Sequence, residues 1–134
     1  MGKINKSNDS WAQQLDDLTY QVTREGATEP PFTGKYTEFD EVGTYHCVCC
    51  DHELFVSTSK FTSSCGWPSF SSAEPGAVVY QDDYSMRGIL RIEVICAQCD
   101  AHLGHVFADG PTSSGKRYCI NSVALNFKPE KQYD

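Results

Sequence analysis

Two matched pairs of cysteines constrain the fold of this chain more than any other feature. Cys47 and Cys50 form one Cys-x-x-Cys pair, and Cys96 and Cys99 form a second. Four thiolates at this spacing can close a tetrahedron around one Zn²⁺, with no coordination position left open. Because residues 51–95 separate the pairs, such an ion would fasten distant segments of the chain. We therefore predict one structural zinc ion that joins two Cys-x-x-Cys knuckles.

An alternative interpretation is that one pair is a redox site of the thioredoxin type. That kind of site belongs to a βαβ unit, which the sequence does not indicate, and it would leave the second pair unexplained. Cys49 does not reproduce the two-residue gap, so we interpret it as a small buried or idle thiol. Cys65 and Cys119 remain. Cys65 lies among Gly, Trp and Pro in residues 64–70, and Cys119 follows Lys and Arg in residues 115–122, and both contexts suggest thiol chemistry.

Length and charge limit what the rest of the chain can do. The 134 residues, 40% of them hydrophobic, suffice for a single domain over residues 1–134, with residues 1–9 as a flexible tail. The formal net charge of -7 opposes nucleic-acid binding, which needs clustered lysine and arginine. No apolar run approaches the ~20 residues of a membrane-spanning helix. The chain has seven cysteines, four of them in Cys-x-x-Cys pairs. An odd number with this spacing is typical of a protein from a reducing compartment rather than of a secreted disulfide scaffold. We expect a cytoplasmic monomer that binds neither nucleic acid nor membrane.

The N-terminal part of the chain predicts one helix over residues 10–22. Apolar residues recur there at helical spacing, at Trp11, Leu15, Leu18 and Val22. Several residues before them offer an N-cap, namely Ser7, Asn8, Asp9 and Ser10. Residues 29–32 contain two prolines, which cannot continue a helix, so this stretch predicts an extended arm.

From Gly43 onward the pattern predicts short β-strands. Runs rich in β-branched and aromatic residues alternate with turn residues, as at residues 45–48, 77–80, 89–95 and 123–127. In the third run, Leu90, Ile92 and Val94 fall on one face, which is typical of a half-buried antiparallel strand. The predicted fold class is mainly β, with two small antiparallel sheets, an N-terminal helix and the zinc site.

Candidate reactive groups surround the two remaining cysteines. Arg117 lies two residues before Cys119, and a guanidinium favours the nucleophilic thiolate, although a lone cysteine in a strand is more often inert. His102 and His105 lie in a predicted glycine-containing loop, where they would serve as proton donors, core residues or metal ligands. Trp67, flanked by Gly and Pro, predicts either a core aromatic or the fixed wall of a ligand site.

Three segments of the chain carry a resemblance to a known family. Residues 66–70, 99–107 and 117–122 have the sequences GWPSF, CDAHLGHVF and RYCINS. They resemble the motifs of the B-type methionine-R-sulfoxide reductases, and the resemblance extends from Trp11 through Phe127. It includes both cysteine pairs of the zinc-containing branch. Ser64 departs from the Gly that is usual in the family before Cys-Gly-Trp, and residues 113–114 replace a common Pro-Thr.

The resemblance implies an enzyme of protein repair that reduces the R epimer of methionine sulfoxide, peptide-bound or free, to methionine. It implies that Cys119 attacks the sulfoxide sulfur and becomes a sulfenic acid, which Cys65 resolves as a disulfide. Thioredoxin or a similar dithiol would then reduce that disulfide. The same resemblance implies that His105 and His102 supply the proton, and that Asn121 orients an imidazole or a bound water.

The implied substrate-binding residues lie around the same segments. Trp67 and Phe107 would pack against the methyl group of the sulfoxide, and Arg117 and Asp109 would set the charge of the site. Two other functions remain open. A zinc-stapled β binding module with an aromatic cage would leave both reactive cysteines and both histidines unexplained. A peroxide-reducing thiol enzyme would show no preference for methionine sulfoxide.

Overall fold

A computed structural model describes residues 6–130 of the chain, which form two short helices and nine strands. The helices are α1 (Asn8–Gln14) and α2 (Asp17–Glu25). The strands are β1 (Gly43–Cys47), β2 (Glu53–Val56), β3 (Lys60–Phe61), β4 (Ser69–Phe70), β5 (Val78–Asp83), β6 (Arg91–Cys96), β7 (His102–Phe107), β8 (Arg117–Ile120) and β9 (Leu125–Pro129). Single-turn 3-10 helices occur at Ser57–Ser59 and Ser122–Ala124. Within the described residues, neither α-helix has the length and apolarity that a bilayer crossing requires.

The strands form two antiparallel sheets. A three-stranded sheet has the order β2-β1-β9, and a six-stranded sheet has the order β3-β4-β8-β7-β6-β5. Neighbouring strands are antiparallel in every recorded pair. The predicted fold class, mainly β with two antiparallel sheets, is therefore confirmed.

The predicted N-terminal helix is instead two helices. Asp16 accepts a hydrogen bond from the backbone N–H of Thr19 at 2.8 Å and so caps α2. A carboxylate in this position satisfies an otherwise free N–H group, which starts a new helix instead of extending the old one. Trp11 and Val22, at the ends of the predicted apolar stripe, are buried, whereas Leu18 is 38% exposed.

The predicted tail over residues 1–9 lies partly beyond the described residues, which begin at residue 6. Ser7 caps α1 by accepting a hydrogen bond from the N–H of Ser10 at 3.2 Å. The Lys6 ammonium lies 4.4 Å from the centroid of the Trp11 ring. Lys6 and Ser7 therefore make specific contacts at the start of the first helix.

Four observed strands, β1, β5, β6 and β9, overlap the predicted ones but have different ends. β6 begins at Arg91, because Ile89 and Leu90 belong to the exposed turn that connects it to β5. Gly88 makes that turn in the left-handed conformation, with φ of 74°. β9 begins at Leu125, because the residues before it form a 3-10 turn.

Aromatic rings join the two sheets in one hydrophobic core. Phe55 of β2 stacks on Phe70 of β4 with ring centroids 4.3 Å apart, and Tyr45 of β1 meets Phe70 edge-on at 5.1 Å. All three side chains are fully buried. Burial of each such ring contributes roughly 1.5–3 kcal/mol to stability, so these contacts hold the three-stranded sheet against the six-stranded one.

Candidate active site and metal centre

The four cysteines of the two Cys-x-x-Cys pairs come together where the sheets meet. Cys47 ends a strand of the three-stranded sheet, and Cys96 ends a strand of the six-stranded sheet. The Sγ atoms of Cys47 and Cys99 are 3.6 Å apart, as are those of Cys50 and Cys96, and all four lie within 4.8 Å of one another. Sulfurs ~2.3 Å from a tetrahedral Zn²⁺ are about 3.8 Å apart. The four positions therefore fit one tetrahedral metal ion.

Both cysteine knuckles fold in the same way. Each pair is followed by an aspartate in the left-handed conformation, Asp51 with φ of 68° and Asp100 with φ of 65°. The backbone N–H of each aspartate donates to the carbonyl of the first cysteine of its pair, Cys47 at 2.8 Å and Cys96 at 3.0 Å. Aspartate adopts this conformation more readily than most residues with a Cβ. The predicted clustering of two equivalent knuckles is confirmed.

Two further side chains lie beside the four clustered cysteines. Cys49 is 8% exposed, which confirms that it is a small buried thiol, and its carbonyl accepts a hydrogen bond from Gln14. Arg24 of α2 donates to the carbonyl of Cys99 at 2.9 Å and approaches its Sγ at 3.7 Å. The same guanidinium lies 4.6 Å from the centroid of the Trp11 ring. A cation in this place would offset the negative charge of four thiolates holding a metal ion.

A pocket of about 200 Å³ on the six-stranded sheet contains Cys65 and Cys119. Cys119 lies in β8, and Cys65 lies in the loop before β4. Their Sγ atoms are 3.5 Å apart. The pocket is lined by all the residues predicted for catalysis and substrate binding except His102 and Asp109. Thus the fold brings most of the predicted site to one place, away from the four clustered cysteines.

Two aromatic rings form walls of this pocket. The Trp67 indole is fixed by its Nε1–H, which donates to the carbonyl of Glu29 at 3.0 Å. Phe107 ends β7, and the Arg117 guanidinium lies 4.6 Å from its ring centroid. Arg117 also donates twice to the Asp109 carboxylate, at 2.9 and 3.1 Å. Asp109 is therefore outside the pocket and holds the guanidinium that lines it.

Both histidines lie in strand β7, so the prediction of a loop for this segment is wrong. His105 Nε2 donates to the Asp83 carboxylate at 2.7 Å, and His102 Nδ1 donates to the Glu93 carboxylate at 2.6 Å. The two imidazole centroids are 5.4 Å apart. His105 lines the pocket, and burial lowers its pKa although the bond to Asp83 opposes this effect. The ring is therefore mainly neutral at pH 7.

Gly104 explains why this segment is a strand. A Cβ at Gly104 would overlap the backbone of Cys119 in β8, so glycine lets the two strands approach closely. In the register of β7 and β8, His105 lies opposite Cys119. The glycine that suggested a loop therefore brings an imidazole opposite the half-buried thiol of Cys119.

The two pocket thiols have pKa values shifted in opposite directions. Burial, followed by the charge and hydrogen bond of Cys65, raises the pKa of Cys119 to about 12. Burial also acts on Cys65, but hydrogen bonds with Ser69 and Ser63 outweigh it and lower that pKa to about 7. Arg117 lowers the pKa of Cys119, as predicted, but is outweighed. Cys119 therefore keeps its thiol proton at pH values where Cys65 has already lost its own.

Asn121 is buried, and both ends of its amide bind the backbone. Its Nδ2 donates to the carbonyl of Leu103 at 3.0 Å, and its Oδ1 accepts from the N–H of Glu29 at 2.9 Å. Leu103 lies in β7 beside His102. Asn121 therefore ties the strand of the two histidines to Glu29, in the arm between α2 and β1 that turns at Pro31 and Phe32.

Four charged residues of the site were missed by the sequence analysis. Asp83 and Glu93 bind the two imidazoles, Arg91 lines the pocket and donates to Asp83 at 3.2 Å, and Glu29 holds Trp67 and Asn121. Asp83, Arg91 and Glu93 belong to strands β5 and β6, which follow β7 in the order of the sheet. Knowledge of the strand order would have placed these three residues at the site, but short sequence motifs do not contain that information.

Comparison with known proteins agrees with this geometry. The family model of the SelR domain matches residues 15–129. The chain belongs to the SelR domain family.

Relatives named "Peptide methionine sulfoxide reductase MsrB" are similar over nearly the whole SelR-domain chain. One from Pseudomonas putida is 57% identical over 130 residues, which are 96% of this chain and 97% of that relative. One from Acinetobacter baumannii is 46% identical over 134 residues, which are 100% of this chain and 96% of that relative. The predicted membership of the B-type methionine-R-sulfoxide reductases is confirmed.

The fold of the SelR-domain chain also occurs in a distant solved structure. The crystal structure of a Mis18 "Yippee-like" domain matches with a TM-score of 0.55 and 17% sequence identity. The match covers 69% of this chain and 100% of that domain. At this identity the likeness shows a shared fold alone.

Proposed function

We propose that this SelR-domain protein reduces the R epimer of methionine sulfoxide to methionine, with Cys119 as the nucleophile. One observation carries the proposal, namely the pair of thiols 3.5 Å apart in a pocket lined by Trp67 and His105. It is supported by membership of the SelR family and by relatives named as peptide methionine sulfoxide reductases. A binding module without redox chemistry has no use for such a pair of thiols.

In the first step the Cys119 sulfur attacks the sulfoxide sulfur, the oxygen is protonated, and methionine leaves. The sulfoxide gains two electrons, and Cys119 becomes a sulfenic acid that carries the oxygen. The imidazolium form of His105, a minor fraction at pH 7, supplies the proton, and the resulting imidazole takes up the proton that the Cys119 thiol loses; His105 lines the pocket and lies opposite Cys119 in the sheet. His102 acts with it at a ring distance of 5.4 Å. Asn121 holds the backbone of their strand through Leu103.

Substrate recognition follows from the two sides of the pocket. Trp67 and Phe107 provide an apolar surface for the methyl group of the sulfoxide. Arg117, fixed by Asp109, sets the charge on the polar side, which receives the oxygen. Two unlike sides distinguish one sulfoxide epimer from the other, because exchanging the oxygen and the methyl group would place each against the wrong surface.

In the second step Cys65 attacks the sulfenic sulfur, releasing water and forming a Cys65–Cys119 disulfide. The 3.5 Å between the two sulfurs supports this pairing. Thioredoxin or a similar dithiol then takes the disulfide back to two thiols, being oxidised itself. Both cysteines belong to one chain, so a monomer suffices for the reaction. The need for a reducing dithiol favours the cytoplasm as its location.

We also propose that the four clustered cysteines bind one Zn²⁺. Sulfur is a preferred ligand of zinc, and four thiolates at tetrahedral positions are typical of structural sites. The ion supplies folding energy rather than reactivity, because it has no redox chemistry in proteins and no coordination position is left open. Its ligands, Cys47, Cys50, Cys96 and Cys99, come from both sheets and would fasten them together.

The test measures methionine released from separate R and S epimers of a blocked methionine sulfoxide, with dithiothreitol as reductant. Release from the R epimer alone, abolished in Cys119→Ser, is the expected result. With thioredoxin as reductant, Cys65→Ser should release one methionine per enzyme and then stop. No release from either epimer by folded, zinc-loaded protein would contradict the proposal.

The same experiment tests which thiol attacks. The lower pKa of Cys65 is the one observation that favours the reverse assignment, in which Cys65 is the nucleophile and Cys119 resolves. The two single variants separate these assignments, because only the variant that retains the nucleophile releases its first methionine. Single release by Cys119→Ser, with none by Cys65→Ser, would reverse the proposed roles.

A further inference from the structure

Glu29 is a buried carboxylate in the arm between α2 and β1. The residue is 1% exposed, and its Oε1 accepts a hydrogen bond from the backbone N–H of Val123 at 2.9 Å. A Cβ at Gly34 would overlap both this carboxyl group and the Ser122 side chain, so the glycine makes room for them. The carboxyl group therefore anchors the arm to the 3-10 helix that follows β8.

The backbone of the same residue holds two walls of the pocket. The Glu29 carbonyl accepts the Nε1–H of Trp67 at 3.0 Å, and the Glu29 N–H donates to the Oδ1 of Asn121 at 2.9 Å. Both partners line the pocket, whereas Glu29 does not. A displacement of this one residue would therefore move two pocket residues at once.

The cost of burying this carboxyl group indicates a specific role. Burial raises the pKa of Glu29, the hydrogen bond from the Val123 N–H acts in the opposite direction, and Oε2 has no hydrogen-bond partner among the described residues. Burying an ionisable group lowers stability unless it is well bonded, and an apolar residue would fill the space without that cost. An apolar residue would, however, leave the N–H of Val123 without this acceptor and the arm without its anchor.

We infer that Glu29 is a positioning residue for sulfoxide binding. Its carboxyl group fixes the arm, and the arm's backbone fixes the Trp67 indole and the Asn121 amide against the substrate. The inference rests on the proposed function, because it assigns Trp67 to the methyl group of the sulfoxide. Affinity for the sulfoxide therefore depends on Glu29, a residue that does not touch the substrate.

The first test compares Glu29→Asp with Glu29→Gln. Aspartate is one methylene shorter and cannot reach the Val123 N–H from the same backbone, whereas glutamine keeps the length and one acceptor oxygen. We expect Glu29→Asp to raise KM for the R epimer about fivefold, the equivalent of one hydrogen bond, with kcat changed less than about twofold. Glu29→Gln should restore KM to within about twofold of the wild-type value. A wild-type KM for Glu29→Asp would overturn the inference.

A control separates positioning from loss of stability. Asp16→Ala removes the N-cap of α2 and lowers Tm without touching the pocket. Dissociation constants for the blocked R epimer are measured by calorimetry in a Cys119→Ser background, where binding occurs without turnover. We expect Glu29→Asp to weaken binding and Asp16→Ala to leave it unchanged. Equal weakening in both variants would show that stability alone is responsible and would overturn the inference.

A double-mutant cycle tests the route through the indole. Trp67→Phe removes the N–H that donates to the Glu29 carbonyl but keeps an aromatic ring. If Glu29 acts through Trp67, the weakening caused by the two substitutions is not additive. Fully additive effects would overturn the inference. A wild-type protein that releases no methionine from either epimer would instead refute the proposed function, so the two failures are distinguishable.

Discussion

Replacing Arg24 by methionine tests how the proposed metal centre is held to helix α2. The guanidinium donates to the Cys99 carbonyl at 2.9 Å, approaches the Cys99 Sγ at 3.7 Å and lies 4.6 Å from the Trp11 ring centroid. Methionine keeps an unbranched apolar stem that can still pack beside Trp11. The substitution therefore removes the positive charge and its N–H donors while retaining most of the packing.

The expected magnitude follows from these contacts. A hydrogen bond from a charged donor contributes about 1.5–3 kcal/mol, and a cation over an aromatic ring at a partly exposed site about 0.5–1 kcal/mol. Because Arg24 is only half-buried, we take the lower part of this range and expect a loss of about 2 kcal/mol. With an unfolding entropy of about 2.1 cal/mol/K per residue over 134 residues, that loss lowers Tm by about 7 °C.

Two measurements check this prediction. Thermal unfolding of the zinc-loaded protein gives the change in Tm, and a chromogenic chelator gives the rate of metal release, which we expect to rise about fivefold if the Sγ contact contributes about 1 kcal/mol. Lys128→Met is the matched control, because Lys128 pairs at 2.6 Å with Asp51, an exposed residue beside the first knuckle. Exposed ion pairs contribute about 0–1 kcal/mol. The reasoning is refuted if Arg24→Met and the control have the same Tm and release zinc equally fast.

Three further predictions concern the pocket and the core. Asp83→Asn removes a carboxylate that raises the pKa of His105, so less imidazolium remains at pH 7. Methionine release at pH 7 should fall roughly tenfold, with a smaller deficit at pH 5, and a deficit independent of pH would contradict this. Iodoacetamide should alkylate Cys65 before Cys119, and the rate of Cys65 alkylation should rise with pH around its pKa of about 7, as mass spectrometry of the peptides can establish. Earlier modification of Cys119 would contradict the finding that Cys65 has the lower pKa of the two thiols. Phe55→Ala should cost about 3–5 kcal/mol in urea unfolding, because the ring is fully buried and stacks on Phe70, and a loss under about 1 kcal/mol would contradict its role in the core.

The features that the sequence predicted well are those that short segments contain. Each Cys-x-x-Cys pair supplies two sulfurs from one turn, and the aspartate after it, Asp51 or Asp100, makes that turn in both knuckles. Two prolines at residues 29–32 correctly predicted that no helix forms there, but the predicted extended arm is wrong at its end, because Pro31 and Phe32 form a turn with φ of 64° at Phe32. Such features need no knowledge of distant partners, because the physical cause lies within a few residues.

Elsewhere two local tendencies competed, and the spacing of residues alone could not decide between them. The apolar positions from Trp11 to Val22 fit one helix, but the Asp16 side chain competes by capping a second one. Gly104 has the composition of a loop residue, yet it lies in β7 because the strand beside it leaves no room for a Cβ. The outcome in both cases depends on contacts made after the chain has folded.

The protonation of the site depends on pairings across the sheet. Arg117, the charged neighbour of Cys119 in the sequence, lowers its pKa as predicted, but burial and Cys65 determine the direction of the net shift. His105 is likewise governed by burial and by Asp83, a residue of another strand. Proteins with the same three motifs can therefore differ in the pH dependence of their reaction, because substitutions at position 83 change the proton donor without altering any motif residue.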